Sequence, residues 1–498
     1  MIRRPRTALN PILLKELRQS VRSRFVSGAY CLFLLLMAIV TGVMLLNRTA
    51  HPHFGADALF GAGRDLFHAL FVPLTLVCIL FVPIYAGVRM AIERGDEHLD
   101  LQFITRLSAA AILRGKFLSA LALIVLMTSA ALPFLTLTFR LGGIDLPTTL
   151  LVLMLMLLVA ALAVLFALLL GSLPGSRLWR VLLGLLGLSL LFTATTGTHT
   201  AAAAMIRSGI GSAVGSAAFW QGAGMTAGGG LILGGLMFAL CTARISPPAA
   251  NRALPIRIWG VLAWLGWGLA MTGLAFSKSS DDYLFGWLIP TVLFCIAAFA
   301  ASVCEPPGFG RRVRRSIPRR LLLRAIVYPF FSGAQPATTW TLLLAAATLA
   351  AWAVLEPGAN PHPSPSSSSA AVLPVAAGFM AYAFAYSQTA FWLWSWRVRK
   401  WLTRGRIWVV FLVLASLGAV LPALVGLGRN LQGSPRLSAW SVGNPFALFE
   451  KTTRDNALAF ALAWSAVMAA PFLIRLIRSC KQFKPLEPAA RTDETPSK

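Results

Sequence analysis

Apolar residues run along this chain in long, nearly unbroken blocks, separated by short polar and basic segments. A block of roughly 17 to 25 apolar residues is the length that carries an α-helix across hydrocarbon. Twelve such blocks can be marked, at 27–46, 67–88, 117–139, 148–171, 178–196, 222–243, 258–276, 284–304, 337–355, 371–396, 407–427 and 456–474. The expected fold is therefore all-α, a polytopic helical membrane protein of about 12 transmembrane helices. The polar breaks suggest an amphipathic segment over 1–26, a six-span unit over 27–243, two further spans over 244–304, and a basic linker over 305–336. A four-span unit over 337–476 and a tail over 477–498 complete the division. The first block follows a basic amphipathic stretch and ends at Asn47-Arg48-Thr49 without a small-residue cleavage pattern, so it reads as a span and not as a signal peptide.

Composition agrees with the pattern. Of 498 residues 57% are hydrophobic and 12% charged, and the mean hydropathy is +0.74. So much apolar surface cannot be hidden in a water-soluble core, which excludes a soluble enzyme, a secreted disulfide scaffold and a disordered chain. The formal charge of +27 would suggest a nucleic-acid ligand in a soluble protein. Here the cations sort by side. With an even number of spans both termini share a side, expected to be the cytoplasm, because its segments then hold 35 Lys and Arg against nine opposite, while the acidic residues divide nine to eight. That is the positive-inside bias, so the expected partners are the lipid bilayer and its anionic headgroups, with no nucleic acid. Cys31, Cys78, Cys241, Cys295 and Cys304 fall in spans or at their ends and Cys480 in the tail, so no disulfide framework is expected.

Inside these boundaries no Asp, Glu, Lys or Arg lies mid-span, and the single span histidine, His68, is terminal. Ion-coupled carriers need such groups near the midplane, so any transport would draw its energy from outside the bilayer. The exterior loops are short, the longest running over 428–455, and Gly358 to Ala370 reads as a flexible connector. Gly224, Gly228, Gly230 and Gly234, at two four-residue spacings in the sixth span, are candidates for close helix packing.

Two segments carry candidate mechanism. In the first, Asn10 is placed to cap a helix, Pro11 sits at its first position, and Leu13, Leu17 and Val21 form one face with Lys15, Arg18 and Arg22 opposite. This pattern predicts a helix lying along the membrane surface. The second segment links spans two and three. It carries Glu93, Asp96, Glu97 and Asp100, then Ser108 as the cap of a short solvent-facing helix through Arg114, with Gly115 as its stop and Lys116 at the membrane edge.

The opening Asn-Pro-x-Leu-x-Lys-Glu-Leu-Arg at 10–18 and Glu-Arg…Leu-x-Leu-x-x-x-Thr-x-Leu-Ser-x-x-x-Ile-Leu-x-Gly-Lys at 93–116 together resemble the type-2 ABC exporter permeases, over about the first 240 residues. Arg106 departs from the pattern, standing where proline is common, and six more spans follow. The resemblance implies a connector helix with Leu13, Lys15, Glu16, Leu17, Arg18 and Arg22. It also implies a coupling element with Glu93, Arg94, Thr105, Leu107, Ser108, Ile112, Gly115 and Lys116. It implies a permease subunit of the bacterial inner membrane, working as an exporter with a separate ATP-binding subunit that holds ATP and Mg, alongside a second permease chain or as a homodimer. The chain has no Gly-x-x-x-x-Gly-Lys-Ser/Thr loop, so no catalytic residue and no cofactor are expected on it.

Three rivals stand beside this reading. A membrane-embedded transferase using a lipid-linked donor would draw on His51, His53, Asp57, Asp65, Asp281 and Asp282, although no constellation among them is spaced for a mechanism and no metal site is expected. A secondary transporter is disfavoured by the uncharged interior, and the third rival is a non-transporting anchoring subunit. Arg311 to Arg324, broken by Pro318, and Asn444 to Phe449 suggest two further interfacial helices.

Overall fold

The computed structural model describes residues 11–50, 56–95, 108–173, 176–211, 213–247, 249–306, 308–359, 369–430 and 443–485. They are helical almost throughout, with no strand among them, and 12 helices are long and apolar enough to cross a membrane. The chain divides at Pro247 into two compact units.

The first unit begins with α1 (Pro11–Arg22), followed after Ser23 by α2 (Arg24–Ala50). Next come α3 (Ala56–Thr75), a π-helical turn (Leu76–Phe81) and α4 (Val82–Gly95), which together form one span. The unit is completed by α5 (Ala109–Arg140), α6 (Leu146–Gly171), α7 (Arg177–Ser208) and α8 (Ala217–Ile245). Local chemistry sets the helix starts. Asp145, Ser176 and Ser216 are in extended backbone, and each side chain accepts from the N–H three residues on, at Thr148, Trp179 and Phe219. The π turn follows Pro73, whose missing N–H disturbs the ladder of the helix, and Thr75 Oγ1 donates back to the carbonyls of Phe71 and Val72 at 2.9 Å each. Phe67, Leu70, Phe71, Leu74, Ile79, Met90, Leu113, Ile124 and Met156 are fully buried in a single core.

The second unit holds α9 (Leu254–Lys278), α10 (Asp282–Ser302), the short α11 (Arg311–Arg315) and α12 (Leu321–Val327), α13 (Ala334–Ala359), α14 (Ser369–Trp396), α15 (Ile407–Asn430) and α16 (Arg454–Gln482). The two spans that the polar breaks set apart over 244–304 pack with the later four in this unit. Pro318 splits the predicted Arg311–Arg324 helix into α11 and α12, because proline cannot donate to the preceding turn. Asn444 caps a 3₁₀ turn, Pro445–Phe449, in place of a full interfacial helix. Phe483, just past α16, is 2% exposed among Phe309, Tyr328 and Phe331, with ring centroids 4.9, 5.2 and 5.0 Å away.

Both units turn apolar side chains outward. Leu185 (60% exposed), Leu269 (73%) and Val354 (77%) lie on spans and cover no protein core, which is the arrangement a hydrocarbon solvent requires. Span hydroxyls find partners on their own helix, as in Thr41 to the carbonyl of Met37 (2.8 Å), Thr195 to that of Leu191 (2.8 Å) and Thr348 to that of Leu344 (2.7 Å).

The helices run past the ends of the apolar blocks. Span two covers Gly63–Glu93, span three Ala109–Arg140 and span five Leu178–Ser208. Charged residues next to each block are therefore helical, and a second histidine, His199, joins His68 on a span, their rings 5.8 Å apart. Polarity marks where lipid ends; it does not mark where the backbone ladder ends.

Of the four candidate packing glycines, Gly230 and Gly234 do abut α6, where an added Cβ would stand 2.9 Å from Leu158 Cδ1 and 3.2 Å from Leu162 Cδ2. Gly224 has open space beside it and Gly228 is half-buried, and the close contacts seen are those of the second spacing. A closer backbone approach lies elsewhere. A Cβ on Gly171 of α6 would sit 2.3 Å from the Gly87 carbonyl oxygen of α4, and one on Gly87 would sit 2.8 Å from the Ala167 oxygen. We expect Gly171→Ala to lower stability by roughly 1–3 kcal/mol through overpacking. Gly184→Ala, where nothing lies within 4 Å, should hold or raise it; thermal unfolding of the detergent-solubilised chain followed by circular dichroism distinguishes the two.

Candidate functional site

Helix α1 packs against the base of α5 and against α2. Its buried stripe is Ile12, Glu16 and Ser20, one step round from the predicted apolar face. Leu13 and Leu17 are half-buried and Val21 is 69% exposed, while Lys15, Arg18 and Arg22 point outward. The helix thus has three faces, and the one turned into the protein carries a carboxylate. Asn10, the expected cap, lies outside the described residues.

Glu16 meets Lys116, 100 positions away on the second turn of α5. Nζ donates to Glu16 Oε1 at 2.8 Å and stands 2.7 Å from Glu93 Oε2 of α4. The Glu93 contact is ionic and off the hydrogen-bond direction, so this oxygen is buried without a hydrogen bond. Arg89, one helical turn before Glu93, approaches Glu16 Oε2 at 3.3 Å. It also donates to Gln19 Oε1 (2.5 Å) and to the Tyr85 hydroxyl (3.2 Å), with its guanidinium 5.6 Å from the Tyr85 ring centre. Glu16 and Lys116 are each only 5% exposed. Two carboxylates face two cations, so the cluster is neutral as a whole. Removing one member of such a cluster leaves an uncompensated buried charge.

Ser108 caps α5 as predicted from its position: its backbone is extended, and Oγ accepts from the Ala111 N–H at 3.2 Å. Two expectations for the following turns fail. Gly115 is not a stop, since α5 continues through it to Arg140 and Gly115 is not among the glycines with positive φ. A mid-helix glycine costs only about 1 kcal/mol, which the apolar span after it overrides. Nor does this turn face solvent, because Ile112 and Leu113 are fully buried and Gly115 is buried with Lys116. Ser108 and Arg114 are its outward residues. Thr105 and Leu107 lie outside the described residues, and Arg94 is described only as a helical position in α4.

Arg89 escaped the sequence reading, and so did a second buried ion pair in the other unit. Arg257, 3% exposed in the first turn of α9, donates from Nη2 to Glu305 Oε1 and Oε2 at 2.7 and 2.9 Å, and from Nη1 to the carbonyls of Pro329 (2.6 Å) and Phe331. Glu305 Oε2 also accepts from the Gly333 N–H at 2.6 Å. The sequence signal was a cation in the first turn of an apolar helix, where the helix dipole disfavours it unless it is paired. These groups tie the 328–333 loop to α9.

The residues a transferase would use are divided between the two units and the undescribed segments. Asp65 lies on α3 in the first unit, and Asp281 and Asp282 lie at the start of α10 in the second. His51 and His53 are outside the described residues, and Asp57 is described only as helical. Among the described residues no group of three His, Cys, Asp or Glu could hold a metal ion.

Comparison with known protein families, with curated proteins and with solved structures finds no match for this chain.

The cluster makes a quantitative expectation. Glu16→Ala should cost roughly 3–5 kcal/mol by stranding Lys116 and Arg89, whereas a Glu16→Leu/Lys116→Met double variant should recover much of that loss. A double-mutant cycle on thermal unfolding in detergent measures the coupling, and purely additive losses would show that the pair is not a unit.

Proposed function

We propose that the chain is the membrane-embedded permease subunit of an ABC-type exporter, powered by a separate ATP-binding subunit that holds ATP and Mg. In this reading the α1 end of the first unit faces the cytoplasm of a bacterial cell and the protein is a multi-pass protein of the inner membrane. One observation supports it above the others. The two segments that resemble type-2 permeases, far apart in sequence, meet through Glu16, Lys116 and Glu93 in a buried ionic contact. The resemblance concerns a connector helix and a coupling element, and those are the two pieces that touch.

The mechanics follow from the cost of separating charges. A cytosolic subunit pressing on the segment that enters α5 moves Lys116, and Lys116 cannot leave Glu16 or Glu93 without stranding a buried ion. The push is therefore shared with α1 and α4 at once. Helix α4 continues through the π turn into α3, and a π turn supplies local slack within a span. The partner's ATP cycle would then bias a bistable arrangement of spans. Arg114 and Ser108, exposed at the base of α5, form the surface available to the partner.

In the test, the tagged full chain is purified from its own membranes in mild detergent together with its neighbours. The expected result is a stoichiometric phosphate-loop ATPase whose retention falls roughly tenfold in Arg114→Glu, an exposed charge reversal, with the thermal midpoint unchanged. Cargo movement in reconstituted vesicles under a proton or sodium gradient, without ATP, would overturn the proposal.

A further inference from the structure

In the second unit two arginines share one aromatic ring and have no counter-ion among the described residues. Arg404 lies in the 3₁₀ turn Arg404–Arg406 just before α15, and Arg475 lies near the end of α16. Their guanidinium carbons stand 5.2 and 4.3 Å from the ring centre of Phe391 on α14, and Arg404 is also 5.9 Å from that of Trp394. Arg475 is oriented from below: Nη2 donates to Gln388 Oε1 at 2.8 Å and Nε to the Pro471 carbonyl at 3.0 Å, with Gln388 itself only 2% exposed. Arg404 Nε is buried and has no hydrogen-bond partner.

No carboxylate among the described residues pairs with either arginine. Glu305, the carboxylate whose field reaches Arg404, is already engaged by Arg257 and the Gly333 N–H. Cys304 is also near Arg404, but burial pushes its thiol up, so it stays neutral and supplies no negative charge. Two half-buried cations with an unused donor between aromatic walls are an incomplete electrostatic unit. An anion with several acceptor oxygens completes it, because the arginine fork matches phosphate geometry.

The surroundings indicate where that anion comes from. Trp392, Trp396 and Trp401, on the stretch of chain leading to Arg404, are 51%, 63% and 89% exposed, and Arg397 lies 4.5 Å over the Trp396 ring. Arg397, Arg399, Lys400 and Arg406 are exposed on the same short connection between α14 and α15. Exposed indoles interleaved with cations at the end of a span belong at headgroup depth, where anionic lipid concentrates. We propose that Arg404 and Arg475 bind the phosphate of an anionic membrane lipid, with the flanking tryptophans resting among the neighbouring headgroups. This site is independent of the ABC reading.

Native mass spectrometry of the full chain in uncharged detergent, titrated separately with phosphatidylglycerol and phosphatidylcholine, tests the site. The wild type should retain one phosphatidylglycerol roughly tenfold more tightly than phosphatidylcholine, and Arg404→Gln should lose most of that preference. Arg475→Lys, which keeps the charge without the fork, should lose part of it even if Arg475→Gln does not fold, and Arg319→Gln, an exposed cation elsewhere in the unit, should lose none. Equal retention of the two lipids by the wild type, or undiminished phosphatidylglycerol retention by Arg404→Gln, overturns the site. Displacement of the lipid by millimolar inorganic phosphate would instead assign the arginines to a soluble phosphate and overturn the lipid assignment.

Discussion

Lys116 sits 5% exposed between two glutamates, and much of the first unit can be understood from the need to keep it there. Glu16 must come from α1, so α1 is drawn against the base of α5 and turns a polar stripe inward. Glu93 must come from α4, so the end of span two and the start of span three are fixed together across the loop that joins them. Arg89 balances the second carboxylate and brings Tyr85 and Gln19 into the network. Such a cluster gives little net stability, since desolvating four ions offsets most of their attraction. What it supplies is registry: a shifted α1 has no other place to put Glu16.

The same logic explains why α1 departs from a simple amphipathic pattern. A helix resting passively on lipid needs two faces, one apolar and one charged. Helix α1 has three, because Ile12, Glu16 and Ser20 are claimed by protein. That leaves Val21 uncovered by the chain and the cations on the remaining side. A helix held on one side by ions can transmit force in a way that one held only by lipid cannot.

The architecture was legible from the sequence because hydrocarbon imposes a length on every span, and 12 apolar blocks became 12 long helices. The Ser108 cap was legible for a similar reason, its hydroxyl and extended backbone acting within three residues. What failed were inferences from local chemistry where packing decides. Gly115 has the residue type of a helix stop, but the apolar run after it keeps the backbone helical. Ile112 stands beside charged residues, yet it points into the core. The members of the ion cluster were visible but not their meeting: Glu16 was marked with one segment and Glu93 and Lys116 with another, and nothing in a linear pattern links positions 100 apart. Arg89 and Arg257 were assigned to the flanks of apolar blocks, because a boundary drawn where polarity begins puts every paired ion outside the span it belongs to.

The two units therefore treat buried charge in different ways. Around Lys116 every charge is matched from within the chain, so that cluster needs nothing from its surroundings and suits a mechanical joint. Arg257 and Glu305 form a similar closed set in the second unit, with the 328–333 loop filling the remaining donors and acceptors. Arg404 and Arg475 are the exception: they are ordered by Phe391, Gln388 and Pro471, yet none of these groups carries charge. An ordered cation pair with no anion among the described residues is costly unless its surroundings supply one. In a chain with +27 formal charge, a lipid phosphate is an abundant anion at headgroup depth, and it would offset part of the charge of this pair, as Glu16 and Glu93 offset that of Lys116 and Arg89 in the first unit.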